Sequence, residues 1–358
     1  MYIHKSTCIS PQQTYSEVDL EKTILSVNNI LTVVEPKYED IPLNILRRMG
    51  KAVRMGVGAA LPLIKDSKNI DGIIIGTANG GMEDCIKFLN QIVQFEEGRL
   101  TPTNFVQSTP NAIAAQISIT TQNKGYNITH VHRGLAFENA LIDAQMLLKE
   151  NLDFNLLVGG VDEISSYNYN IENLGGWYKE KEIDNTELYK NDSKGTIAGE
   201  GVTMFLVNNC KENCFANISA IKTLHTNKTD EVAEQLKLFI ADNISPEQKI
   251  DLFITGENGD NRLQNYYNIC EKVLDKNTGI ARFKHFCGEY PTASAFSVWL
   301  ASQILNNQII PKHFIKQDRF PQSLSKKTLS DICNNKVERI LIYNNYKGQQ
   351  HSFMLIEK

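Results

Sequence analysis

A chain of 358 residues with 42% hydrophobic and 8% aromatic residues has the composition of a packed globular protein, and a formal net charge of -4 gives no long-range attraction to nucleic acid. No apolar run approaches the roughly 18 residues needed to span a bilayer, and the opening MYIHKSTCISPQQ lacks the apolar core of a signal peptide, so a cytoplasmic protein is expected. Seven scattered cysteines, an odd number, point to reduced thiols, and the close pair Cys210 and Cys214 has no second pair beside it, so neither a disulfide framework nor a metal site is expected.

The hydrophobic periods predict, in chain order, a helix from Leu43 to Ile64, a strand from Ile70 to Gly76, and helices from Met82 to Phe95 and Asn111 to Gln122. A strand from Ile128 to His132 leads into a helix from Asn139 to Asn151, and strands follow from Leu156 to Gly160 and Val202 to Asn208. A helix from Asp230 to Asn243, a strand from Asp251 to Thr255 and a helix from Thr292 to Leu305 come next. Two runs, Arg339 to Tyr343 and Ser352 to Ile356, read as a closing hairpin. This alternation is that of helices layered on parallel-rich sheets, and the charged, breaker-rich stretch from Lys179 to Lys194 reads as a surface loop. His130 and His132, alternate residues of one strand, are expected on one side of it.

Within THVHRGLAFENALIDAQMLL, the β-branched run ends at Gly134 and apolar residues then recur at Phe137, Ala140, Leu141, Ala144, Leu147 and Leu148. Gly134 thus stands at a strand-to-helix elbow. Such an elbow gathers backbone N–H groups and the positive end of the helix dipole at one point, which activates a cysteine and stabilises an oxyanion. Glycine there has no nucleophile.

Around it, in order, lie TPTNFVQSTPNAIAAQIS (Thr101 to Ser118), LLVGGVDE (Leu156 to Glu163) and GTIAGEGVTMFLV (Gly195 to Val207). FITGENGDN (Phe253 to Asn261) and RFKHFCGEYPTASAFSVWLAS (Arg282 to Ser302) follow. Together these resemble the β-ketoacyl-ACP synthases, members of the thiolase-like superfamily, over most of the chain. The resemblance implies an α/β thiolase-like fold of two similar halves, residues 1–210 and 211–358, packed in a layered α-β-α-β-α body.

Counted in register with the family, the catalytic cysteine falls on Gly134. Thr255 stands at the first catalytic histidine and Glu289, after Gly288, at the second; the lysine is kept as Lys284. The family's Gly-Phe-Gly-Gly-Thr-Asn loop is replaced by Tyr346 to Ser352. A carboxylate and a hydroxyl in place of two imidazoles do not stabilise the thioester enolate of decarboxylative condensation. An ion pair between Lys284 and Glu289 is expected to fill the old site.

A synthase frame that has lost its chemistry resembles a chain-length factor, the non-catalytic subunit that pairs with an active ketosynthase and acyl carrier protein in type II polyketide, aryl-polyene-like or fatty-acid synthesis. No cofactor is implied. The resemblance places Phe105, Thr109 and Ile113 at the tunnel and partner interface, with Thr109 and Ile113 one helical turn apart. Two other readings stay open. One is an acyl-thioester enzyme of altered chemistry (acyl transfer, hydrolysis or dehydration), with Cys287 as nucleophile beside Lys284, His285, Glu257 and Glu289. The other is a homodimeric acyl-binding or scaffolding protein.

Overall fold

The computed structural model describes residues 1–65, 67, 69–316 and 336–358. The first part of the chain runs β1 (Tyr2–Ile9), β2 (Ile30–Leu31), α1 (Leu43–Leu46), α2 (Lys51–Lys65), β3 (Gly72–Gly76), α3 (Met82–Gln94), α4 (Pro102–Gln107) and α5 (Ala112–Thr121). It continues with β4 (Tyr126–His130), α6 (Ala136–Glu150), β5 (Leu156–Asp162), α7 (Ser166–Leu174), β6 (Ala198–Gly199) and β7 (Gly201–Asn208). The second part runs β8 (Ala216–His225), α8 (Thr229–Asn243), β9 (Leu252–Thr255), α9 (Gln264–Val273), β10 (Gly279–Arg282), α10 (Lys284–Cys287), α11 (Ser294–Asn307), β11 (Arg339–Tyr346) and β12 (Gln350–Glu357).

Ten strands form one sheet in the order β10-β9-β11-β12-β8-β1-β7-β5-β3-β4. The order hides a duplication. From β1 outward, β7 and β5 join antiparallel and β3 and β4 add parallel. From β8 outward, β12 and β11 join antiparallel and β9 and β10 add parallel. The two sets meet only where Tyr2 and Ile3 pair with Asn217 and Ala216.

The strands bury both faces, and the period of two sorts their side chains into separate cores. Ile74 of β3, Val158 of β5, Ile254 of β9 and Ile342 of β11 face a shared central core. Ile73 and Ile75 face an outer core with α2 and α5, while Phe253 and Leu341 face another with α8 and α9. The central core is built by α6, through Phe137, Ala140, Leu141 and Ala144, and by α11, through Phe296, Val298, Trp299 and Leu300. Helices therefore lie outside, between and outside the two halves of this one sheet, the thiolase-like α-β-α-β-α layering. Small residues permit the closeness: a Cβ on Gly76 would stand 2.5 Å from the Ala136 carbonyl oxygen.

Three expectations are corrected. The helix from Leu43 to Ile64 is broken into α1 and α2, where the Gln107 side chain takes the Gly50 N–H and the Arg48 carbonyl that a continuous helix would pair internally. β4 starts and ends two residues earlier than expected, which leaves His132 outside it. His130 then bonds Asp143 at 2.9 Å and His132 bonds Asn139 at 3.0 Å, so the two histidines have separate partners. Thr109 and Ile113 do not share a helical face, since α4 ends at Gln107 and α5 begins at Ala112.

Candidate functional site

The elbow forms where expected: β4 ends at His130, one 3-10 turn covers Arg133–Leu135, and α6 begins at Ala136. Gly134 is buried, and its N–H is not free to hold an oxyanion. It donates to Gln350 Oε1 at 2.9 Å. A Cβ at 134 would lie 2.2 Å from Tyr346 Cβ and 2.4 Å from Tyr346 Cγ. The side chain that a nucleophile would need is thus pre-empted by Tyr346.

Tyr346 is held there by its own turn. Lys347 and Gly348 have φ of 56° and 68°, and Gln349 N–H returns to the Tyr346 carbonyl at 3.2 Å, the geometry of a tight two-residue hairpin. Gly348 N–H bonds Asn345 Oδ1 at 2.8 Å. The Lys347 ammonium pairs with Glu172 of α7 and lies 4.8 Å from the centre of the Trp177 ring. A pinned hairpin thus forms at the position where the sequence resemblance implied a glycine-rich loop.

The other two positions are structural as well. Lys284 Nζ meets Glu289 Oε1 at 2.6 Å, the lysine side chain 0% exposed and the glutamate 11%. Asn258 Nδ2 holds the second carboxylate oxygen at 2.8 Å. The backbone of Glu289 pairs with that of Ala198, with Gly199 N–H donating to the Glu289 carbonyl at 3.0 Å. Thr255 is fully buried, and its hydroxyl accepts the Glu257 N–H at 3.3 Å. The expected Lys284–Glu289 pair is therefore present, and the threonine caps its own loop.

The alternative nucleophile fares worse. Cys287 is wholly buried, its thiol donates to the Gly288 carbonyl at 3.3 Å, and burial pushes its pKa far above the ordinary range, so the thiolate is not formed. Glu257 is engaged with Arg282 at 3.2 Å and Lys316 at 2.9 Å. His285 turns to His313, at 2.9 Å, and Tyr189; burial and the neighbouring His313 and Arg282 hold it neutral, down to about 3. Acid, base and thiol lie close in sequence but each has its own structural partner.

Asp162, at the end of β5, was not singled out by sequence, yet it ties the region together. Its carboxylate accepts the N–H groups of Ala78 and Asn79 at 2.9 and 2.8 Å, both hydrogen-bonding groups of Thr292 at 3.1 and 2.8 Å, and the Thr77 hydroxyl at 3.2 Å. Burial raises its pKa despite these bonds. Tyr346 and Gln350 were also missed as site residues; their only sequence signal is that they stand where a family loop has been replaced.

Of the three interface candidates, Phe105 is 60% exposed and Thr109 is exposed on the turn between α4 and α5. Ile113 is 0% exposed and belongs to the core under α2. They do not line one tunnel within this chain. Phe105 instead joins Leu89, Val93, Val106, Ile119 and Val131 among the exposed apolar side chains of α3, α4, α5 and the end of β4. Phe88 and Phe105 rings meet at 5.2 Å and Asn127 of β4 bonds Ser118 of α5 at 2.6 Å, so these elements adjoin. β4 is the outermost strand on its side of the sheet.

Residues 27–173 match the family model of the β-ketoacyl synthase N-terminal domain. No curated protein matches the chain. Among solved structures, a β-ketoacyl synthase from Burkholderia phymatum aligns with TM-score 0.75 at 12% identity, covering 100% of this chain and 98% of that one. The ishigamide ketosynthase/chain length factor gives 0.75 at 14% identity, with the same coverage. The ketosynthase ApeO in complex with its chain length factor ApeC, from Xenorhabdus doucetiae, gives 0.75 at 12%, covering 99% and 97%. At these identities the likeness establishes the fold: the whole chain has the layered body of a ketosynthase.

Proposed function

We propose that this chain, whose residues 27–173 match the β-ketoacyl synthase N-terminal domain and which has a ketosynthase-like fold, serves as the non-catalytic, chain-length-factor-like subunit of a ketosynthase pair acting on acyl-carrier-protein thioesters in polyketide or fatty-acid-type synthesis. The observation that carries this reading is Tyr346 standing in the space of any side chain at Gly134, with Gln350 capping the N–H that would face an oxyanion. Condensation is an electrostatic task performed on an enolate. Here the enolate would meet a tyrosine ring and a carboxylate already paired with lysine.

What the fold retains is surface. An outermost strand exposes unpaired backbone groups, and proteins normally cover such an edge. On α5, which packs on β4, and on α4 next to it stand Ile119, Phe105 and Val106, more than half exposed, the composition of an interaction face rather than of a solvated one. A second ketosynthase-fold chain is the occupant proposed for it. The enzyme reading built on Cys287 has no observation in its favour, because the thiol is wholly buried and burial raises its pKa, which disfavours the thiolate.

The test is co-expression with an intact ketosynthase. The pair is expected to co-purify at fixed stoichiometry and to condense acyl and malonyl thioesters, while this chain alone does neither. Turnover of an acyl thioester by the isolated chain would refute the proposal.

A further inference from the structure

Three helices of the first part of the chain have almost no core of their own. α3 is 13 residues long and buries only Asp84, α4 is 6 long and buries only Gln107, and α7, 9 long, has no buried residue. Asp84 and Gln107 reach the body at one point: a Cβ on Gly50 would meet both side chains, and Gln107 accepts the Gly50 N–H and donates to the Arg48 carbonyl. α7 is tied to α3 by Asn90 Nδ2, which donates to the Tyr167 hydroxyl at 2.8 Å. By contrast, α6 buries Phe137, Ala140, Leu141 and Ala144. Helices this short draw their stability in water from a packed apolar face, and here much of that face is turned outward. Val93 is 81% exposed and Leu174 88%, and Leu89, Phe105, Val106 and Ile171 are each more than half exposed. Tyr167, Ile171 and Leu174 stand on successive turns along one side of α7.

Size, charge and continuity indicate what covers these helices. α4 adjoins α5, which packs on β4, so the three helices and the outermost strand form one face, on the scale of one side of a standard protein interface, about 20–30 residues. Charge is nearly absent from it, as at the core of such an interface: α4 carries none, Glu172 of α7 is paired with Lys347, and Lys87 of α3 pairs with Glu83 at 3.6 Å. A helix lying on a membrane has lysines and arginines along its polar face; α7 has none and α3 has only Lys87. The backbone edge of β4 is matched by another strand. The occupant is therefore a protein with an apolar surface and a strand edge of its own. On its other side α7 supplies Asn168, Tyr169 and Glu172 to a cleft of about 630 Å³, open mouth included, whose lining also contains Glu289 and Tyr346.

We infer that α3, α4 and α7 are completed by the partner: the ketosynthase of the proposed pair seats an apolar surface on Leu89, Val93, Phe105, Ile171 and Leu174 while pairing along β4, and by holding α7 it fixes one wall of the cleft. The inference rests on the subunit reading and adds a coupling to it, since the helices become ordered as the pair forms.

Hydrogen exchange followed by mass spectrometry on the full chain, alone and captured by an intact ketosynthase, tests it. In the free chain the amides of α3, α4 and α7 should exchange at least about 100-fold faster than those of α6 and α11, and in the pair they should slow at least about tenfold. Leu174→Asp should weaken capture about tenfold, while Leu238→Asp, at an exposed position of α8 over β8 and β12, should leave it unchanged. Helices α3, α4 and α7 as protected as α6 in the free monomer would overturn the inference. Slowing of the same helices in a dimer of this chain, or on vesicles of phosphatidylcholine and phosphatidylglycerol, would identify another occupant and overturn it too. A pair that forms without protecting these helices sinks this inference alone; no pair at all sinks the subunit reading beneath it.

Discussion

The centre around Gly134 and the face around β4 stand in contrast. At the centre the positions that the sequence resemblance marked for chemistry are each bound to something local: Gly134 to Gln350, Glu289 to Lys284 and Asn258, Thr255 to its own loop. On the face, Phe105, Val106 and Ile119 remain bare and β4 has no strand beyond it among the described residues. The interior is tied together by local bonds, while an apolar surface stands outside. This contrast is what the proposed subunit reading expects, with the chemistry supplied by a partner and a face left to meet it.

The largest effect should come from breaking the central ion pair. Lys284→Ala leaves the Glu289 carboxylate in a nearly sealed site, and removal of one member of a buried pair costs about 3–5 kcal/mol. The double variant Lys284→Met/Glu289→Leu should return most of that loss. Urea denaturation measures both, and a single variant as stable as the parent would show that the pair does not hold the centre.

Next comes Ile113, which lies beneath the face but belongs to the core. Ile113→Ala should cost about 2–5 kcal/mol by opening a cavity under α2. Phe105→Ser, on the surface, should stay within about 0.5 kcal/mol of the parent yet weaken capture of the ketosynthase at least about tenfold. Equal stability losses for the two would erase the distinction between core and face.

A smaller effect is expected of Gly134→Cys. The added side chain must push Tyr346 aside, and overpacking of this kind costs about 1–3 kcal/mol; Tyr346→Ala in the same chain should recover part of it. Neither variant should condense acyl thioesters. A ketoacyl product from Gly134→Cys alone would mean that Thr255 and Glu289 are not where the imidazoles belong.

Smallest and most diffuse is the response to pH. His285 and His351, held down to about 3 and about 4 by burial against an ordinary 6.5, stay neutral in the folded chain while the unfolded chain takes up protons. Their contribution is complete above pH 6.5 and is lost as the pH falls toward 4. Glu163 acts in reverse: raised to about 7 from 4.5, it favours the fold below pH 4.5, and that contribution is lost as pH rises to 7. His285→Asn should flatten the acid limb and Glu163→Gln the limb between 4.5 and 7, read from the urea midpoint against pH.

The sequence carried the skeleton of this account but not its fillings. The elbow at Gly134 was readable because strand period, glycine and helix period follow one another within about 20 residues. The Lys284–Glu289 pair was readable because both residues lie on one short motif. What closes the elbow was not, since Tyr346 and Gln350 come from more than 200 residues away and only the sheet, joining β11 and β12 to the first half through β8 and β1, brings them there. β1 escaped detection because Tyr2–Ile9 mixes polar and apolar residues without alternation, and only Ile3, Cys8 and Ile9 of it are buried. The misjudged Thr109 had a signal of its own: a residue before proline is disfavoured in a helix, and Pro110 follows it.

The most direct test is intact-protein mass spectrometry of the reconstituted pair during turnover with acyl and malonyl thioesters of the carrier protein. The acyl adduct is expected on the ketosynthase alone, with this chain at its unmodified mass at every time point. An acyl adduct on this chain, carried through to product, would contradict the account and restore a nucleophile to it.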